Sequence, residues 1–326
     1  MRIVITGGSG FLGQRLARAI LSRGSMTDGR GDRREVREIV LVDVVEPRPV
    51  ADDRISSLIG DLASDTLIAR AFERPVDSAF HLAAVVSGEA EQDFDKGWRV
   101  NVDGTRHWLE ACRSAGNVPK FVFTSSAAVF GGELPPVLPD SQQVTPQSSY
   151  GAQKAAGELY VHDYTRKGFV DGRSLRLPTV SVRPGKPNKA ASSFASGIIR
   201  EPLNGVAAVC PVPLATVMSL ISPRYVIENL IAGHEAPAAA FGPVRTINVP
   251  CISLAVSEML QALRRVAGSE VADRVTCTVD PAIDRIVRTW PRDFEAVLGR
   301  QLGMRADADF DAVIRQYIDD EMSPKR

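Results

Sequence analysis

Tyr150 and Lys154 stand four residues apart in "SSYGAQKAAGELY", residues 148–160. On a helix that spacing puts both side chains on one face, one turn apart. An unperturbed tyrosine has a pKa of about 10, and a nearby opposite charge lowers such a value by about 1–3 units. The phenol would then approach the range in which it can take a proton from an alcohol. Oxidising a secondary alcohol needs such a base while hydride leaves for a nicotinamide. The same spacing fits an ordinary surface pair, so the surrounding elements must decide.

The first half of the chain alternates short apolar runs with helical periodicity. "RIVITG", "IVLVDV", "ISSLIGD", "SAFHLAA", "KFVFTSS" and "GRSLRLPTVSV" read as strands. Residues 11–23, 62–74, 94–115 and 151–167 read as helices, and "GSMTDGRGDRREVRE" as a surface loop. β-Branched runs separated by helices predict an α/β fold, a doubly wound parallel sheet of Rossmann type covered on both faces. Ligands of such sheets bind beyond the carboxyl ends of the strands. After residue 183 the chain is loop-rich, with a strand within 206–213, a helix at 222–234 and "RTINVP" as a strand. Three more helices and the strand "RVTCTVD" follow from residue 253. Residues 1–182 are expected to form the dinucleotide domain, with 222–250 returning to it. Residues 183–221 and 251–326 would form a smaller substrate-binding domain.

"TGGSGFLG", residues 6–13, joins the first strand to the first helix. Gly7, Gly10 and Gly13 suit a tight turn, close approach to a pyrophosphate and close helix–strand packing. The phosphates would meet the free N–H groups of the helix. Asp43 closes the second strand, where a carboxylate accepts from an adenosine ribose diol and repels a 2′-phosphate, favouring NAD over NADP. Asp61 could receive the adenine amino group or cap the next helix.

"TGGSGFLG", "HLAA", "NVDGT", "FTSSAAVFG" and "YGAQK" occur in the order that resembles the extended short-chain dehydrogenases/reductases, in their nucleotide-sugar epimerase branch; the motifs cover roughly residues 1–185. The resemblance implies a Ser-Tyr-Lys mechanism. Tyr150 is then the base, while Lys154 tunes it and holds the nicotinamide ribose. Ser126 would hydrogen-bond the reacting oxygen, with Ser125 the neighbouring candidate and a strand-end cap the structural alternative. It also implies an NAD wall of Gly7, Gly10, Phe11, Leu12, Gly13, Asp43, Asp61, Leu62, Ala83, Asn101, Thr124, Tyr150, Lys154 and Pro178. Asn101 would fix active-site backbone, or simply mark a bend in its helix. The segment 175–205 is similar to a narrower group that acts on D-erythronate, which implies oxidation at C2 to 2-dehydro-D-erythronate. A nucleotide-sugar epimerase or dehydratase is the alternative. Helices 94–115 and 151–167 would, by the same resemblance, build a homodimer.

A small sugar acid needs a cation for its carboxylate and hydroxyl-bearing neighbours. Arg183 and Arg200 are the candidate cations, since arginine binds carboxylates with paired hydrogen bonds. Lys186, Ser192 and Ser193 accompany them, and Ser87 and Gly88 lie in the loop "VVSGEA". His81 reads as a satisfied core histidine, and no pair of histidines has metal-ligand spacing, so no metal is expected. The chain has 326 residues, 39 basic and 39 acidic, with net charge zero. That balance argues against a nucleic-acid partner, and no apolar run approaches the roughly 20 residues of a membrane span. The start, "MRIVITGGSGFLG", enters a strand directly, so no secretory leader is expected. Cys112, Cys210, Cys251 and Cys277 are isolated and far apart in sequence, which suits buried thiols in the cytoplasm.

Overall fold

The computed structural model describes residues 1–48, 50–185 and 190–322; Lys186 lies outside the described residues. The chain forms two compact units, one of Met1–Ser126, Ser148–Arg176 and Asn229–Ile247, the other of Ala127–Gln147, Leu177–Glu228 and Asn248–Arg326. Ala127–Gln147 and residues 177–182, expected with the first unit, belong to the second, and of the segment 222–250 expected to return to the first unit only Asn229–Ile247 does so.

The chain begins with β1 (Arg2–Thr6), α1 (Phe11–Arg23), β2 (Ser25–Thr27), β3 (Arg33–Glu35), β4 (Glu38–Asp43) and β5 (Ile55–Ile59). There follow α2 (Asp65–Ala71), β6 (Ser78–His81), α3 (Ser87–Gln92), α4 (Phe94–Trp98), α5 (Thr105–Ala115), β7 (Lys120–Ser126), α6 (Ser149–Arg166) and β8 (Asp171–Leu177). Next come β9 (Thr179–Val180), α7 (Ser193–Leu203), β10 (Ala208–Cys210), β11 (Val217–Ile221), α8 (Pro223–Glu235), β12 (Thr246–Asn248), β13 (Ile252–Ala255), α9 (Val256–Ala267), α10 (Ser269–Ala272) and β14 (Val275–Cys277).

The seven-stranded sheet of the first unit runs β12-β8-β7-β6-β1-β4-β5, and β1 pairs in parallel with both β4 and β6. Strand order therefore reverses at β1, the switch point at which doubly wound sheets bind ligands. Both faces are covered. Val4, Val40, Ala79, Phe121 and Phe123 pack with Leu67, Trp108, Leu109 and Val161 from α2, α5 and α6. The alternate set, Ile3, Ile5, Leu41, Phe80 and Val122, is equally buried, as a strand's period of two requires. The strand "RTINVP" returns to this sheet as β12, beside β8.

Several local expectations fail for physical reasons. Residues 24–38 form an antiparallel hairpin of β2 and β3 rather than a plain loop, anchored by fully buried Met26 that charged neighbours mask in the sequence. The helix expected at 62–74 shrinks to α2, because a turn at Asp61 takes up Leu62 and Ala63 and Ser64 becomes its N-cap. Ser87 and Gly88 lie in the first turn of α3 instead of a loop. The helix expected over 94–115 is interrupted by a π-helical turn, Arg99–Gly104, around Asn101.

In the second unit β9 and β11 pair in parallel and β13 joins antiparallel. Ile198, Ile199, Leu220, Met259, Leu263 and Ile314 lie in its core. Beyond residue 253 the described residues form five α-helices rather than three. Cys210 and Cys277 are not far apart: β10 and β14 pair in parallel with these two residues in register. All four cysteines are free thiols.

Candidate active site

The turn between β1 and α1 can be built only from glycine at several positions. Gly7 has φ +69°, and a Cβ there would lie 2.9 Å from the Ala83 nitrogen. A Cβ at Gly13 would sit 2.3 Å from the Gly7 carbonyl oxygen, and at Gly8 2.8 Å from that of Ile5. Gly8 escaped the reading of the motif, which used only the spacing of three glycines. Gly10 is the N-cap of α1, Phe11, Leu12 and Gly13 form its first turn, and neither a capping side chain nor an acidic residue neutralises that end. Unneutralised helix N–H groups beside a backbone free of Cβ atoms fit a dinucleotide's pyrophosphate.

Asp43 ends β4 next to this turn: its carboxylate accepts from Ser9 N at 2.9 Å and from Val44 N at 2.7 Å. Asp61 accepts from Ala63 N at 3.0 Å and pairs with Arg99. The backbone bond and the guanidinium hold its carboxyl below the ordinary value. It is thus not the N-cap of α2. Leu62 is buried, its carbonyl accepting from Trp108 Nε1 at 3.0 Å. Ala83 N donates to Thr6 Oγ1 at 3.2 Å.

His81 is a core histidine, as its setting in an apolar strand suggested. Its ring nitrogens meet Thr6 Oγ1 at 2.8 Å and Thr105 Oγ1 at 3.1 Å. Burial, reinforced by the charge of Lys154, pushes it down to about 3. Asn101 is 2% exposed and spends its amide inside the protein. It accepts from Val85 N at 2.8 Å and donates to Val85 O at 3.0 Å and to Gln153 Oε1 at 2.7 Å. Asn101 therefore fastens the chain after β6 to α6.

Tyr150 lies in the first turn of α6, whose N-cap Ser148 accepts from Gly151 N at 3.1 Å. Lys154, one turn on, is buried and donates from Nζ to Thr124 O at 2.8 Å. Its Nζ lies 4.6 Å from the Phe123 ring centroid and 5.7 Å from that of Tyr150. Desolvation pulls the ammonium down to about 7, against the attraction of Glu158. Thr124 also donates from Oγ1 to His81 O at 3.1 Å. Of the two serines closing β7, Ser125 is 2% exposed and donates to Glu158 Oε1 at 2.5 Å. Ser126, the next residue, is half-buried and falls on the other face of the strand.

Glu158 and Arg176 were not legible as part of this cluster. Glu158 repeats the four-residue spacing of Tyr150 and Lys154, the one signal available, yet reads as an ordinary helix surface charge. In the fold it is 4% exposed and bound by Arg176 through two hydrogen bonds of 2.9 and 2.7 Å.

The substrate candidates of the second unit are also linked. Arg183 N donates to Ser196 Oγ at 3.0 Å, and its guanidinium reaches Ser192 Oγ at 3.3 Å. Arg200, 6% exposed, donates to Arg183 O at 2.7 Å and pairs with Glu201 at 2.6 Å. Ser193 opens α7, and Pro178 is buried between β8 and β9. In the first unit Ser87 is half-buried.

A sheet reversing beside a glycine cradle, with a tyrosine–lysine pair where β7 ends, defines a dinucleotide-dependent enzyme of the short-chain dehydrogenase/reductase type. The "NAD dependent epimerase/dehydratase family" model matches residues 3–216, and the chain belongs to that family. It is an NAD-dependent oxidoreductase acting on CH–OH groups. The chain is 52% identical to the D-erythronate dehydrogenase of Cupriavidus necator over 98% of both chains. It is 43% identical to that of Haemophilus influenzae, over 99% of this chain and 100% of the relative. The crystal structure of a nucleoside-diphosphate-sugar epimerase from Agrobacterium tumefaciens matches with a TM-score of 0.93 at 42% identity, covering 99% of this chain and 94% of that one.

Proposed function

We propose that the protein oxidises the C2 hydroxyl of a four-carbon sugar acid, D-erythronate, to 2-dehydro-D-erythronate. The observation that carries this reading is the buried Lys154 one turn from Tyr150, in a chain 52% identical along nearly its whole length to a D-erythronate dehydrogenase. Tyr150 takes the hydroxyl proton at its phenolic oxygen, and Lys154 favours the phenolate by its charge. Ser126 orients the reacting oxygen. NAD, when bound, supplies the two-electron hydride acceptor. The cradle at Gly7, Gly8 and Gly13 receives its pyrophosphate, Asp43 its adenosine ribose and Lys154 its nicotinamide ribose. Arg183 and Arg200 are the candidate partners of the substrate carboxylate.

The test is NADH formation from a panel of 2-hydroxy acids, with D-erythronate expected to give the highest kcat/KM. No turnover of any 2-hydroxy acid would overturn the reading. The likeness to the Agrobacterium epimerase favours a second one, epimerisation or dehydration of a nucleotide sugar. That reaction returns the hydride to its own intermediate, so it gives product without net NADH.

We also infer a homodimer in the cytoplasm. Four free thiols suit a reducing compartment, and no helix of the described residues is long and apolar enough to cross a membrane. Phe94 and Trp98 of α4 and Leu159 of α6 are 57, 43 and 69% exposed. Apolar groups so placed are natural subunit contacts. Light scattering that returned a monomer mass at micromolar concentration would refute the dimer.

A further inference from the structure

The buried trio Glu158, Arg176 and Ser125 has no place in the chemistry assigned above. Glu158 brings together three elements. It sits on α6, accepts from Ser125 on β7 at 2.5 Å, and accepts from Arg176 on β8 at 2.9 and 2.7 Å. The helix is already pressed against β7 one residue earlier, where a Cβ on Gly157 would lie 2.6 Å from the Phe123 ring.

The residue that Glu158 grips is the informative one. Ser125 stands between Thr124, whose carbonyl accepts the Lys154 ammonium at 2.8 Å, and Ser126, which orients the reacting oxygen. Fixing Ser125 fixes the peptide units on either side. We propose that Glu158 is a positioning residue: acting through Ser125, its carboxylate sets the end of β7 to which Lys154 and Ser126 are registered. This rests on the reading of Tyr150, Lys154 and Ser126 as the reacting groups.

Around Lys154 stand Tyr150 and Glu158 from α6, Phe123 and Thr124 from β7 and His81 from β6; Arg176 of β8 is bound to Glu158. His81 is neutral above about pH 3, and Arg176 is paired with Glu158. The Glu158 carboxylate favours the Lys154 ammonium, against the desolvation that favours its neutral amine. Removing that carboxylate leaves Arg176 behind, so both changes make the ammonium lose its proton at lower pH.

The experiment compares Glu158→Gln, Ser125→Ala and their combination in NADH formation from D-erythronate across pH, with NAD affinity measured by fluorescence titration. We expect Glu158→Gln to lower kcat roughly 10- to 100-fold, the scale of a small misplacement of reacting groups. KM for the acid and NAD affinity should stay within about threefold, because the loss is confined to the transition state. The alkaline limb of the kcat profile should move to lower pH by at least about half a unit. The combined variant should be no slower than the slower single one, since both act on one contact.

Should Glu158→Gln fail to fold, Glu158→Gln with Arg176→Gln leaves neither charge alone in the core and is read by the same criteria. An unchanged kcat and alkaline limb in a folded variant would overturn the proposal, as would multiplicative losses in the combined one. Tyr150→Phe separates the two levels. If it keeps turnover, the underlying reading fails. If it is inactive while Glu158→Gln is normal, only the role of Glu158 fails.

Discussion

Lys154 donates a 2.8 Å hydrogen bond from Nζ to the carbonyl oxygen of Thr124, fastening α6 to the end of β7. An ammonium in so dry a place is there at a cost, because burial disfavours the charged form. Below about pH 7 the charge is kept beside Tyr150, where it would favour ionisation of the phenol.

Tyr150→Phe keeps the ring and removes the phenolic oxygen proposed to take the proton. NADH formation should fall by about 10²- to 10⁴-fold, the contribution of a positioned general base, with NAD affinity preserved. Retained turnover in this variant would sink the mechanism. Ser126→Ala should lower kcat in the same direction without altering NAD binding.

Lys154→Met exchanges function for stability. The folded-state value of Lys154 is about 7, well below the 10.5 of a free lysine. Between those values the unfolded chain binds the proton and the folded chain does not, so this site makes stability rise with pH across pH 7 to 10.5. Below pH 7 the penalty is complete, on the order of 5 kcal/mol at 1.36 kcal/mol per unit. The inactive methionine variant should therefore melt higher than wild type at pH 7, and the gap should close as pH approaches 10.5. A gap that stays constant with pH would show that Lys154 is not desolvated.

How much of this could be read beforehand depended on whether a residue's role is local. The runs that became β1, β4 and β7 are buried on both faces, so near-continuous apolar residues marked them. Phe11–Arg23 carries its own helical period and ends at Gly24, whose φ of +69° stops it. Asp43 was legible because a strand's last residue has a fixed place beside the turn that follows β1. Glu158 was not, since its meaning comes from Arg176 on β8 and Ser125 on β7, which sequence order does not bring together. The same holds for Cys210 and Cys277, in register on strands far apart in the chain, and for Met26, whose burial requires the surrounding fold.

Gly13→Ala tests the cradle. The new Cβ would approach the Gly7 carbonyl oxygen to 2.3 Å, a backbone atom that cannot swing aside. Either α1 moves off β1 or the turn opens, and both displace the N–H groups proposed to meet the pyrophosphate. We expect NAD affinity to drop by at least about tenfold, equivalent to 1.4 kcal/mol, together with a lower melting temperature. Gly10→Ala, where the approach is a milder 3.1 Å, should cost less on both counts. Equal, wild-type NAD affinity in the two variants would show that the turn is not where the dinucleotide sits.

Asp43→Asn decides the cofactor's ribose end. The carboxylate already holds the nitrogens of Ser9 and Val44 at 2.9 and 2.7 Å, which points it at the turn and leaves its remaining lone pairs for a diol. Removing the charge weakens charge-assisted acceptance, worth about 1.5–3 kcal/mol per bond, and lifts the repulsion felt by a 2′-phosphate. The kcat/KM for NAD should fall roughly 10- to 100-fold on that scale, while the NADP value rises, so the preference narrows from both sides. Measuring both cofactors in the same variant separates this from general damage, which would lower the two together.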